Sequence, residues 1–286
     1  MPCFTSREFS DTDRRTRIDH ILAASLADFQ GMHFGPMTTR PLDVPFFRRH
    51  VQESLRAEEL EDASAILAKV TAAFRTVVGA DSTALFVIKE TSQAIYYDTF
   101  AASLKDFRLL SIVRDPRDNF AAISEGVESY YSRLGESRLQ SLASFINRAR
   151  MDLKTALELS SGSTGASSIK FEDLANNPTA VMRRVADWLS LKFTENLIQP
   201  SRLGSGFFGN NHGGIRFKSV STDHVGAWQQ RTEPFEVGVI EHWLADVMSV
   251  WGYQLSMSDS ESRKHFADFY RWYNCNYFYF GTGFDL

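Results

Sequence analysis

The chain has 286 residues, of which 43% are hydrophobic, 23% charged and 13% aromatic, and its formal net charge is −4. This composition is typical of a globular protein and excludes collagen-like, coiled-coil and disordered chains. The slight acidic excess also argues against general nucleic-acid binding. Because no run of 18 apolar residues occurs and the N-terminus lacks an apolar core, we expect neither a transmembrane helix nor a secretory signal. Two cysteines cannot form a disulfide framework, which favours a reducing, cytoplasmic location.

The periodicity of apolar residues predicts helices that alternate with short strands. In chain order, the predicted elements are helix 12–30, loop 31–45, helix 46–79 with a break near residue 61, strand 84–89, helix 92–104, strand 109–113, a helix from residue 116, helix 139–159, a flexible polar linker 160–168, strand 168–171, helix 179–191, a Gly-rich loop 204–214 and helix 235–251. Such alternation is typical of an α/β fold in which helices flank a parallel central sheet. We expect a single domain over residues 1–286.

An aromatic tail, residues 254–286, closes the sequence. We expect it to pack back over the core. The alternatives are the wall of an acceptor pocket or a dimer surface.

The segment LLSIVRDPRDNF, residues 109–120, joins a predicted buried strand directly to a helix. Asp115 suits the N-cap, Pro116 the first helical position and Asp118 the third. Ligands bind at the carboxyl ends of parallel strands, where helix N-termini offer N–H groups to anions. Arg114 would present there a planar guanidinium that matches phosphate oxygens. This segment alone leaves two interpretations open: a phosphate site, or a capped helix with Arg114 paired to a nearby carboxylate.

Four segments occur in a fixed order: VIKETSQAIYY, SIVRDPRDNFAAIS, IKFEDLANNP and the combination of HVGAWQQ with IEHWLADVMSVWGYQL. Together they resemble the PAPS-dependent sulfotransferase family. The similarity covers residues 84–253 and implies a P-loop NTPase-like sulfotransferase fold. It also implies transfer of a sulfuryl group from PAPS (3′-phosphoadenosine 5′-phosphosulfate) to a hydroxyl or amine. The acceptor would be a small molecule or a carbohydrate, and no metal would take part.

The resemblance assigns roles to residues in the matching segments. Arg114 matches the family's arginine that binds the 3′-phosphate of the donor. The family's second 3′-phosphate ligand is a serine eight positions later, where this chain has Ala122, so Ser124 could serve only if the helix start is shifted. Lys89 resembles the lysine that stabilises charge on the transferred group. Phe171 replaces a tyrosine whose ring lies near the adenine.

The family begins with a strand and a Gly-containing loop that binds the 5′-phosphosulfate. The best match here is Asp13 followed by Arg14, Arg15, Thr16 and Arg17, with Asp13 in place of the family's cation. Arg15 replaces the glycine that allows close backbone approach, so this loop is degenerate. Two alternatives to an active enzyme therefore stay open: a catalytically inactive sulfotransferase-like binding protein, and an N-terminally truncated sulfotransferase.

Two loops carry the remaining expected site residues. Gly209 and Asn210 lie in the Gly-rich loop whose counterpart in the family closes over the nucleotide. Arg216 follows that loop and would reach the 3′-phosphate. His33 is the histidine in the segment after the first predicted helix, where family members carry a general base. Its ordinary pKa, near 6.5, suits proton removal from a hydroxyl, and a carboxylate is the alternative.

Overall fold

A computed structural model describes the chain at residues 16, 43–55, 59, 62–80, 85, 87–89, 92, 94–104, 106–127, 137–202, 205–206 and 219–277. The chain divides into two compact units. One comprises Met1–Thr91, Tyr96–Phe107 and Arg202–Ser205, and the other comprises Ser92–Ile95, Arg108–Ser201 and Gly206–Leu286. The single domain expected over residues 1–286 stays a prediction.

Between residues 43 and 104, the described part of the first unit includes the helices α1 (Val44–Ser54), α2 (Ala63–Val78) and α3 (Tyr97–Ser103). Its small core comprises Phe47, Val51, Leu55 and Ala73, at the packing of α1 on α2. The predicted break near residue 61 is confirmed, because Asp62 caps α2. Its carboxylate accepts hydrogen bonds from the backbone N–H groups of Ser64 and Ala65. Side-chain capping of this kind satisfies N–H groups that have no partner within the helix.

The second unit is organised around two parallel strands, β1 (Leu109–Val113) and β2 (Ala166–Lys170). Their register runs from Leu109 opposite Ala166 to Val113 opposite Lys170. Parallel neighbours need a long crossover, which α4 (Pro116–Val127) and α5 (Arg138–Gly162) provide here. The expected α/β class with a parallel sheet is thus confirmed. The residues that follow the two strands, Arg114 and Phe171, consequently lie at the same edge of the sheet.

The remaining elements complete the described chain. They are α6 (Phe171–Asn176), α7 (Pro178–Trp188), β3 (Ser201–Arg202), β4 (Ser205–Gly206), α8 (Trp228–Arg231), α9 (Pro234–Val250), α10 (Asp259–Tyr277), and two 3₁₀ turns at Ala94–Tyr96 and Glu195–Ile198. Helix α9 packs against α5 and α10. The described part of the aromatic tail packs on the core as expected, since Phe266, Phe269 and Tyr273 of α10 are buried there.

The predicted strand 84–89 is wrong at every described position. Leu85, Val87, Ile88 and Lys89 lie outside any strand, and the first three expose 56%, 77% and 48% of their surface. An apolar, β-branched run indicates a preference for burial, but it does not supply a neighbouring strand to pair with.

The prediction that residues 160–168 form a flexible polar linker or a surface insertion is also wrong. Helix α5 continues to Gly162, and β2 begins at Ala166. The serines are compatible with the helix because their hydroxyls bond to it: Ser160 donates to the carbonyl of Ala156 and Ser161 to that of Leu157. Polarity in this segment therefore marks a helix end rather than a mobile chain.

Candidate functional site

Arg114 lies at the carboxyl end of β1, and its guanidinium is held on two sides. The guanidinium carbon is 4.6 Å from the centroid of the Phe171 ring. Nη2 donates a hydrogen bond of 2.7 Å to the backbone carbonyl of His224. Nε is buried and has no hydrogen-bond partner in the described part of the chain. A buried donor without a partner is costly, so this guanidinium is suited to an anionic ligand.

The surroundings of Arg114 remove water from its charge. Burial lowers the pKa of Arg114 from its ordinary value, and the nearby carboxylates of Asp118, Glu172 and Asp115 oppose that shift. Arginine nevertheless keeps its proton in proteins. A cation that has lost part of its hydration interacts more strongly with an anion than an exposed one does.

Glu172 fixes the backbone that follows Arg114. Its Oε1 accepts a 2.8 Å hydrogen bond from the backbone N–H of Asp115, and its Oε2 accepts a 3.0 Å bond from the hydroxyl of Tyr253. Burial is the main cause, and the charge of Glu172 the second, that raises the pKa of Tyr253. The phenol therefore stays protonated and donates its hydrogen bond to Glu172. Lys170 covers the Tyr253 ring, with Nζ 4.2 Å from the centroid.

Arg117, three positions after Arg114, has a different environment. Asp115 caps α4 at the Arg117 backbone N–H and also accepts from the Arg117 side chain at Nε and Nη2. Nη1 donates to Glu241 at 2.6 Å, and the ring of Trp228 lies 4.1 Å from the guanidinium carbon. Burial alone would lower the pKa of Arg117, but the bonds to Asp115 and Glu241 raise it. Arg117 is fully paired and acts as a structural link between α4 and α9.

Asp118 bonds to a segment far away in sequence. Its Oδ2 accepts from the backbone N–H of Gly226 at 2.8 Å, and its Oδ1 accepts from that of Trp228 at 2.9 Å. Gly226 has a φ of +74°, a left-handed conformation that favours glycine. The segment from His224 to Trp228 therefore contacts both Arg114 and Asp118.

The predicted site residues fall into four groups. Arg114 and Phe171 are brought into contact. Ser124 is buried in α4 and donates a 2.8 Å hydrogen bond to the carbonyl of Ala121. Because α4 begins at Pro116, as the sequence predicts, the shift that would present Ser124 to a nucleotide is not observed.

Lys89 is exposed and belongs to the first compact unit, and Thr16 is helical and exposed. The other predicted residues lie outside the described residues: His33, Arg14, Arg15, Arg17, Gly209, Asn210 and Arg216.

The sequence did not assign Glu172, Tyr253 or Glu241 to the site. It also did not indicate which groups Arg117 and Asp118 would bind. All of them lie within the four quoted segments. The available signal was the alternation of charges in RDPRD directly after an apolar strand, since charges that become buried there need partners.

Two general properties of the described residues bear on the site. Among them, no group of three or more His, Cys, Asp or Glu side chains is arranged to hold a metal ion. In the same part of the chain, every helix is too short or too polar to cross a bilayer.

Comparisons with known proteins bear on the fold and on the family. The sulfotransferase domain from the curacin biosynthetic pathway has a similar fold, with a TM-score of 0.53 at 14% identity over 82% of this chain and 79% of that chain. The sulfotransferase domain of the Synechococcus PCC 7002 olefin synthase gives a TM-score of 0.52 at 16% identity over 87% and 79% of the two chains. No curated protein matches the sequence. The model of the sulfotransferase family matches residues 15–195, more than half of the chain. The chain therefore belongs to the sulfotransferase family.

Proposed function

We propose that the chain transfers a sulfuryl group from PAPS to a hydroxyl or amine of a small-molecule or carbohydrate acceptor. The observation that carries this proposal is the Arg114 guanidinium, stacked on Phe171 at the carboxyl edge of a parallel sheet with Nε buried and unpaired among the described residues. Such an arrangement suits a phosphate group, which accepts several hydrogen bonds in the plane of a guanidinium.

In this proposal Arg114 binds the 3′-phosphate of the nucleotide. Nε supplies a donor, while the bond from Nη2 to the His224 carbonyl keeps the guanidinium plane in place. Phe171 lies against one face of the guanidinium and contributes an aromatic ring next to the adenine. The hydroxyl of Ser124 would have to leave Ala121 in order to take part, so its role as a ligand stays a prediction.

The remaining assignments rest on the family resemblance. Arg14, Arg15, Thr16 and Arg17 would bind the 5′-phosphosulfate, and the Gly209, Asn210 and Arg216 segment would complete the 3′ side. The acceptor oxygen or nitrogen attacks sulfur while the bond from sulfur to the 5′-phosphate oxygen breaks, which releases 3′,5′-ADP. The acceptor proton passes to His33 or to a carboxylate. Lys89 stabilises the negative charge on the transferred group and the leaving phosphate.

The test is thermal unfolding with 3′,5′-ADP, the nucleotide product. A ligand at 100 times its Kd stabilises the folded state by about 2.7 kcal/mol. We expect this stabilisation in the wild type and its loss in Arg114→Ala. Arg183→Ala is a matched control, because Arg183 also stacks on a phenylalanine, Phe193, at 4.1 Å, on a helix outside the site.

The control variant should retain the full shift. The proposal is refuted if wild type shows no shift at millimolar 3′,5′-ADP, or if Arg114→Ala shifts as much as wild type. A protein that binds 3′,5′-ADP through Arg114 but consumes no PAPS with sugars, phenols or amines would instead be a non-catalytic member of the family.

A further inference from the structure

Asp118 is almost completely buried, with 1% of its surface exposed, and its carboxylate is used entirely outside its own helix. The N–H groups of Gly226 and Trp228, 108 and 110 residues away, donate to its two oxygens. An acidic residue in the first turn of a helix ordinarily accepts hydrogen bonds from the N–H groups of that helix. Here Asp115 accepts such a bond, from the N–H of Arg117, and Asp118 bonds to the distant segment.

The segment that Asp118 binds also binds Arg114. His224, two residues before Gly226, accepts from Nη2 of Arg114 at 2.7 Å through its backbone carbonyl. The turn between these two points requires the left-handed backbone of Gly226. Arg114 and Asp118 flank the start of α4. Each of them bonds to the segment 224–228, so this segment is attached to the start of the helix at two places.

This double attachment fixes the direction in which the Arg114 guanidinium points. The position of the His224 carbonyl determines where Nη2 is held, and Nη2 and Nε belong to the same rigid plane. If Asp118 released the segment, the ring of Phe171 would still cover the guanidinium, but Nη2 would lose its fixed acceptor. Among the nearby carboxylates, Asp118 also does most to raise the pKa of Arg114, ahead of Glu172 and Asp115.

We infer that Asp118 is a positioning residue for the 3′-phosphate site: by holding Gly226 and Trp228 it fixes the His224 carbonyl, and through that carbonyl the guanidinium of Arg114. The inference rests on the proposed function, in which Arg114 binds the 3′-phosphate. Asp118 does not contact the nucleotide, so its effect is confined to ligands that carry that phosphate.

The experiment compares the Kd values of 3′,5′-ADP and of 5′-AMP, which lacks the 3′-phosphate, by calorimetry. We expect wild type to prefer 3′,5′-ADP. Asp118→Asn should weaken 3′,5′-ADP binding by about tenfold, the range of a hydrogen bond to a charged group, and leave 5′-AMP binding unchanged. In Arg114→Ala the same Asp118→Asn change should have no further effect. The matched control is Asp246→Asn, whose carboxylate pairs with Arg150 at the surface.

The control should keep the wild-type preference for 3′,5′-ADP. The inference is overturned if Asp118→Asn keeps that preference too, or if it weakens both nucleotides equally, as a purely structural residue would. A wild type that does not distinguish the two nucleotides would overturn the proposed function itself, which is a different result.

A second measurement does not depend on the folding of the Asp118 variant. Hydrogen exchange at the amides of Gly226 and Trp228 should slow in the wild type with 3′,5′-ADP but not with 5′-AMP. The slowing should be absent in Arg114→Ala. Equal exchange with the two nucleotides would show that the segment is not linked to the phosphate at Arg114, and would overturn the inference.

Discussion

The guanidinium carbon of Arg114 lies over the ring of Phe171, 4.6 Å from its centroid. The contact follows from the register of the two strands. Val113 and Lys170 are paired, and the residues that directly follow them are Arg114 and Phe171. An aromatic face attracts a cation and at the same time keeps water from one side of it.

Phe171→Leu should therefore weaken 3′,5′-ADP binding by about two- to fivefold, the range of a partly exposed cation–π contact. Phe171→Tyr keeps the ring and should retain the affinity. The measurement is the Kd from calorimetry, with Phe193→Leu as the control that breaks the corresponding contact with Arg183. Equal loss in Phe193→Leu would mean that the effect is on folding in general.

Tyr253→Phe should destabilise the folded state by about 1–2 kcal/mol, because the partly buried carboxylate of Glu172 loses a donor. The free energy of unfolding from urea titration checks this. Tyr270→Phe is the control, because it removes the hydroxyl of another partly buried tyrosine, on α10 and away from the sheet edge. A Tyr253→Phe protein as stable as wild type would show that water replaces the phenol at no cost.

Gly238→Ala should destabilise the packing of α9 on α10. A Cβ at this position would lie 2.5 Å from Cδ2 of His265, closer than atoms can approach. We expect a loss of about 1–3 kcal/mol, the usual range for overpacking a core. Gly162→Ala is the control, since its Cβ would meet no atom within 4 Å. Adding His265→Ala to Gly238→Ala should restore much of the lost stability.

His224 should make the protein less stable as pH falls below about 6.5, the ordinary histidine pKa. Burial, together with the charges of Arg231 and Arg114, lowers the pKa of His224 in the folded state. The unfolded chain thus takes up the proton first, and stability rises with pH across this window. Unfolding of wild type and His224→Gln between pH 5 and 7.5 checks the sign. The variant should lose less stability on acidification than wild type does.

Lys89→Ala should reduce PAPS turnover by about 10² or more while the Kd of 3′,5′-ADP stays unchanged, since in the proposed mechanism the lysine acts on charge that develops during transfer. Lys192→Ala, another exposed lysine, is the control. The assay is release of 3′,5′-ADP from PAPS with a panel of sugars, phenols and amines. Equal turnover in Lys89→Ala and wild type would remove Lys89 from the mechanism.

Sequence reasoning located Arg114 because the signals that surround it are local. Asp115 and Pro116 begin a helix at once after an apolar strand, and both act within a few residues of Arg114. These features depend on chain order and local conformation, which a sequence displays directly.

Asp118 and Glu172 could not be assigned in the same way. Asp118 suits the helix start by its position, but its partners lie more than a hundred residues away. Glu172 bonds to a backbone N–H of another strand end and to a phenol near α9. Residue type carries no information on such distant partners. The strand predicted over 84–89 and the linker predicted over 160–168 failed for the related reason that composition does not specify pairing.

The register of β1 and β2 has one more consequence. Arg114 and Phe171 meet only when the crossover through α4 and α5 has closed and the two strands are aligned residue for residue. A slip by one residue would turn one side chain to the opposite face of the sheet. Under the proposed function, nucleotide affinity through Arg114 arises in the same step as the native sheet. The number of binding sites titrated with 3′,5′-ADP should then equal the number of correctly folded molecules.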